Sequence, residues 1–63
     1  MLKELKIAIE KGQMISISTI DGEVIVGAPE TSPMKEKLKI RNEQGVLYIP
    51  YEDIVHVMRL YTF

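Results

Sequence analysis

Lys35, Lys37, Lys39 and Arg41 alternate along one short stretch, the pattern in this chain with the plainest chemical use. On a β-strand alternate side chains share a face and stand about 6.6 Å apart, twice the rise per residue. That is close to the spacing of successive phosphates on a single nucleic-acid strand. Such a stripe would follow a polyanionic backbone with steep salt dependence and little base preference. The bland alternative is a wet strand face: Leu38 and Ile40 point the other way into a core, and lysines on an edge strand also discourage uncontrolled pairing. Tyr51 joins the same candidate surface as a ring on which a base could stack. Tyr48 and Tyr61 fit better as core-edge residues with wet hydroxyls.

His56 has Asp53 three residues and Glu52 four residues before it, a spacing that suggests an acid–base pair. A useful base needs a nucleophile or substrate beside it, and a lone histidine without cysteine makes a poor transition-metal site. Ser16, Ser18, Thr19 and Ser32 lack the setting of an activated nucleophile, and Gly22, Gly27 and Gly45 are too scattered for a phosphate loop. The residues point away from an enzyme, from a metal and from a cofactor.

The elements that must position these groups follow from size and pattern. A chain of 63 residues is one domain, and a domain this small buries only roughly 60% of the surface its unfolded chain exposes. Disulfides are excluded by the lack of cysteine, so self-association is the remaining source of extra stability. Hydrophobic residues make up 46% of the chain, more than so small an interior can hold, and the net charge of −1 provides no overall attraction to nucleic acid or anionic lipid. No stretch has the length and apolarity of a signal peptide or a bilayer span, which predicts a cytoplasmic protein with no membrane partner.

Between Leu2 and Lys11 helical and strand periods compete. The helix former content, with Leu2, Leu5, Ala8 and Ile9 on one face and Gly12 as a stop, favours a helix. Met14 to Ile20 alternates as a strand with Ile15, Ile17 and Thr19 on one side. Asp21-Gly22 supplies the two positive-φ residues of a type I′ hairpin, and Glu23 to Ala28 returns as the second strand, with Gly27 marking a bend. Pro29 to Pro33 reads as a loop, since proline cannot donate to a ladder. Lys35 to Arg41 and Val46 to Ile49 form a second hairpin around Asn42 to Gly45. Pro50 to Asp53 suits a single 3₁₀ turn, and Ile54 to Leu60 makes the last strand. These elements predict a mainly β (α+β) fold: an N-terminal helix followed by a strongly bent five-stranded antiparallel barrel.

That order of elements resembles the Sm-like (LSm/Hfq-type) family of small barrels, related in shape to SH3-like domains. The matching residues are Met14 to Gly27, Leu38-Lys39-Ile40 and Tyr48-Ile49-Pro50-Tyr51-Glu52-Asp53-Ile54-Val55. The resemblance implies a ring-forming barrel and RNA binding. The RNA sites of that family resemble an Asp-x-Phe-Met-Asn loop after the second strand and an Arg-Gly or Lys-His pair near the last turn. This chain instead has Thr31-Ser32-Pro33-Met34-Lys35 and Pro50-Tyr51, so the fold carries over without the uridine-binding residues. A shorter resemblance, to small YolD-like bacterial and phage proteins, rests on Ile49 to Val55 alone.

The last strand is apolar on both faces, with Val55 and Val57 on one and Met58 and Leu60 on the other. Val57, Met58, Leu60, Tyr61 and Phe63 are therefore the expected contacts with another copy. The resulting expectation is a non-catalytic Sm-like or SH3-like module that forms homo-oligomers and binds a protein partner. The alternative is a binder of RNA or single-stranded DNA through Lys35, Lys37, Lys39, Arg41 and Tyr51.

Overall fold

A computed structural model describes residues 2–60; Tyr61 and Phe63, two of the expected interface residues, lie outside the described residues. Helix α1 spans Leu2–Lys11, followed by strands β1 (Met14–Thr19), β2 (Val24–Glu30), β3 (Lys37–Asn42) and β4 (Gly45–Pro50). A 3₁₀ turn at Tyr51–Asp53 leads into β5 (Ile54–Leu60). The helix, the 3₁₀ turn and the final strand match the sequence expectation. Helix α1 closes at Gly12, where φ is +65°, and the amide of Gln13 reaches back to the carbonyl of Ala8 at 2.9 Å.

All five strands belong to one antiparallel sheet with the order β4-β3-β2-β1-β5. β2 is the strand that joins its halves. Ile15 to Ser18 of β1 pair with Gly27 to Val24, whereas Ala28, Pro29 and Glu30 pair with Arg41, Ile40 and Lys39 of β3. The changeover falls at Gly27, which is buried. A Cβ on this residue would stand 2.7 Å from the carbonyl oxygen of Arg41 and 2.8 Å from Ile40 Cγ1. Only hydrogen fits there, so glycine lets β2 fold inward onto β3.

The expected loop at Pro29 is corrected by this geometry, because β2 runs on through Pro29 and Glu30. Backbone groups along a strand point alternately to its two sides. The ladder between β2 and β1 ends at Gly27, so the missing N–H of Pro29 faces a side from which β1 has already departed. Lys35 is corrected as well, since it lies in the turn before β3 rather than within the strand.

The first hairpin is not of type I′. Among the described residues no non-glycine has positive φ, and Gly22 alone in this turn does, at +86°. The amide of Gly22 donates to the carbonyl of Thr19 at 3.0 Å, and the amide of Thr19 donates to the carbonyl of Glu23 at 2.9 Å. This is a type I turn ending in a glycine bulge. Ile20 is drawn out of the hairpin because its amide donates to the carbonyl of Asp53 at 2.9 Å.

That same bond accounts for a second departure. Ser18 pairs with His56 but Thr19 pairs with Ile54, which leaves Val55 as the extra residue of a bulge in β5. Val55 and His56 are consequently both exposed, while Ile54 and Val57 turn inward. Val55 and Val57 do not share a face.

The expected barrel closure is also corrected: β4 and β5 are the two outer strands of the sheet, and no ladder joins them among the described residues. The 3₁₀ turn explains this. The Tyr51 amide donates to the carbonyl of Glu36 just before β3, and the Asp53 carbonyl accepts from the amide of Ile20 just after β1, so the turn ties the start of β3 to the end of β1 and lets β4 and β5 diverge.

The core collects Leu5 and Ala8 from α1, Ile15 and Ile17 from β1, Leu38 and Ile40 from β3, Ile49 from β4 and Ile54 from β5. Helix α1 packs on this inner side against β2 and β5, fixed by Glu4 and Arg59 at 2.5 Å. The outer face of β1, β2 and β5 stays uncovered among the described residues. Replacing Gly27 by Ala is expected to cost about 2 kcal/mol through overpacking and to lower the melting midpoint by roughly 10 °C. Chemical and thermal denaturation measure this, and a loss below about 0.5 kcal/mol would mean that β2 has room to shift.

Candidate binding surfaces

The structure divides the basic stretch into two groups. Lys37, Lys39 and Arg41 lie on one outward face of β3, opposite Pro50, Tyr48 and Val46. Directly across the other ladder stands Glu30. Its carboxylate accepts from Arg41 Nε at 2.8 Å and lies 3.4 Å from Lys39 Nζ. One acidic residue therefore engages two of the four cations. The hydrogen bond from Arg41, followed by that from Lys39, holds the Glu30 carboxyl below the usual carboxylate range, and Glu30 in turn raises the Arg41 guanidinium.

Lys35 and Lys37 share a shallow hollow with Tyr51, and the same hollow is lined by Glu36 and Glu52. Two cations here face two anions. Tyr51 is partly buried and packs against the core, so its ring is more constrained than its position between strands suggests. The structure thus brings Lys35, Lys37 and Tyr51 together and turns Lys39 and Arg41 toward Glu30.

The outer face of β1, β2 and β5 is a separate, mainly apolar surface. Its cross-strand rows are Leu60 with Met14, Met58 with Ser16 and Val26, and His56 with Ser18 and Val24. Met58 is 64% exposed and Val24 67% exposed, so these side chains find little cover among the described residues. Of the expected interface residues, Met58 and Leu60 belong to this face, whereas Val57 packs against the core. His56 lies on the outer face opposite Ser18, and among the described residues its side chain makes no ion pair or hydrogen bond. No group of three or more acidic or histidine side chains converges as a metal site among the described residues.

A third surface, continuous with the outer face through Met14, Val24 and Val26, had no counterpart in the sequence reading. Beyond Gly27 the β3–β4 hairpin leans away from the first half of β2, leaving an open groove of about 900 Å³. Val24, Val26, Leu47 and Tyr48 line it, with Glu23 and Glu43 at the rim. Only the exposed valines of β2 signalled it, and their meaning depended on where β3 would end.

A group whose pKa is lowered by folding stabilises the folded state while ionised. The contribution of Glu30 is therefore complete at neutral pH and is lost as pH falls through the ordinary carboxylate range to its lowered value. Glu30→Gln is expected to lower the melting midpoint at pH 7 and to flatten its decline between about pH 5 and pH 3. Thermal melts across that range test this; a parent and variant with parallel pH profiles would show that the carboxylate contributes no acid sensitivity.

No family model matches the chain, and no curated protein matches it. Among solved structures it is similar to YaeO from Vibrio cholerae O395, determined bound to magnesium. The two share 14% sequence identity and a TM-score of 0.78 over 95% of this chain and 83% of that one. At that identity the likeness is one of fold.

Proposed function

We propose that this protein is a non-catalytic binding module of the Sm-like or SH3-like kind, which self-associates and engages a protein partner. The observation that carries the reading is the uncovered outer face, where Met58, Val24, Val26 and Met14 form an apolar surface across β5, β1 and β2. A chain of this size has little stability to spare, and burying that face against another copy adds to it. The edges of β4 and β5, unpaired among the described residues, provide backbone groups for the same purpose. In an oligomer those edges would complete the barrel-like arrangement that the order of elements suggests. His56, exposed and lacking a positioned partner among the described residues, suits a surface better than a reaction centre.

A nucleic-acid role is the second reading, supported by Lys35, Lys37 and Tyr51 lying in one hollow. Glu36 and Glu52 offset the charge of that hollow, and Glu30 engages Lys39 and Arg41 beside it, which is why protein binding is preferred.

Light scattering over a range of concentrations is expected to show a defined oligomer. Met58→Asp, at an exposed position, is expected to shift it toward monomer while circular dichroism stays unchanged. A parent protein that is monomeric throughout would refute self-association. Filter binding of single-stranded RNA and DNA at low and moderate salt is expected to show no retention; steeply salt-dependent retention, lost in Lys35→Gln/Lys37→Gln, would favour the second reading.

A further inference from the structure

β2 has an unpaired edge inside the groove. The amide of Thr19 bonds to the carbonyl of Glu23, so the alternation of an antiparallel ladder makes Ile17–Ile25 and Ile15–Gly27 the hydrogen-bonded pairs of β1 and β2. Val24 and Val26 must then direct their backbone groups away from β1. The structure supports this independently: the carbonyl of Val26 accepts from Asn42 Nδ2 at 3.2 Å, a contact possible only on the far side. β3 pairs with β2 from Ala28 onward and does not reach these residues. Among the described residues, the Val24 amide, the Val24 carbonyl and the Val26 amide have no partner within the chain.

We propose that this edge is a docking site for an extended peptide that carries alternating apolar residues and a basic residue at its ends. Resting on the protein-binding role above, the proposal gives the partner a chemistry. Donor, acceptor and donor follow in sequence over about 6.6 Å of strand, the arrangement an added β-strand requires. Val24 and Val26 offer contacts on one face of that strand, and Ile25 and Leu47 on the other. The charged side chains along the groove, Glu23 and Glu43, are both acidic, and no lysine or arginine lines it. This complementarity selects a cationic ligand. It also argues against a second copy of this chain, because β4 contains no cation and Arg59 of β5 is held by Glu4.

The test uses the full chain and a fluorescein-labelled peptide of sequence Lys-Val-Ser-Val-Ser-Val-Arg. Fluorescence anisotropy is expected to show saturable binding, weakened about tenfold or more in a peptide with glutamates at both ends. Of two peptides methylated on alternate backbone nitrogens, one in each register, the one whose methyl groups face the edge cannot complete the ladder and is expected to bind at least as poorly, while the other binds. Glu23→Lys/Glu43→Lys, both on the surface, is expected to reverse the preference toward the acidic peptide. In hydrogen exchange, the Val24 and Val26 amides should gain protection on peptide addition.

Absence of binding, equal binding of both methylated peptides, or binding without protection at Val24 and Val26 would overturn the proposal. Concentration-dependent protection of those amides without peptide would also overturn it, by showing a second copy on the edge. Failure of the peptide together with a persisting oligomer would remove this site and leave self-association standing.

Discussion

The close approach of Gly27 to the backbone of Arg41 is the constraint on which the rest of the structure depends. With a Cβ position only 2.7 Å from that carbonyl oxygen, no other residue lets β2 cross so tightly from β1 to β3. The crossing turns a simple five-stranded sheet into a bent one whose inner surfaces meet. Ile15 and Ile17 from one half then pack with Leu38 and Ile40 from the other, all fully or almost fully buried. The same crossing separates the β3–β4 hairpin from the first half of β2. One glycine thereby creates both the core and the groove beside it.

Charge is arranged locally rather than as a single field. Glu30 enters the sheet because β2 continues past its proline, and it meets Lys39 and Arg41 across the ladder. Lys35 and Lys37 face Glu36 and Glu52 in the hollow beside Tyr51. The rim of the groove, in contrast, is acidic without compensation among its lining residues. A net charge of −1 thus conceals a face with paired cations and another with unbalanced anions. For a small domain this local arrangement, rather than the net charge, sets the field that each face presents.

Local signals made much of this fold legible from sequence. Leu5 and Ala8 with the stop at Gly12 announced α1, the Tyr51–Asp53 turn followed from Pro50, and the alternation at Ile15 and Ile17 identified the buried side of β1. What escaped were features set by distant partners. Pro29 looked like a strand breaker because its harmlessness depends on where β1 stops. Asp21 looked like a left-handed turn residue because the bond between Ile20 and Asp53, which reshapes the turn, joins residues far apart in sequence. That bond also underlies the bulge that separates Val55 from Val57. The basic stripe was visible, but its partner Glu30 lies in another strand, and the free edge of β2 could be found only once the register was known.

The central claim is that β2 exchanges partners at Gly27 and leaves its first half bonded on one side only. Amide hydrogen exchange of the free protein at low concentration measures this residue by residue. The account predicts slow exchange at Ile25 and Gly27, which face β1, and at Ala28, which faces β3, with fast exchange at Val24 and Val26. Slow exchange at Val24 and Val26, or fast exchange at Ala28, would contradict it, because β3 would then either extend along the whole of β2 or fail to join it.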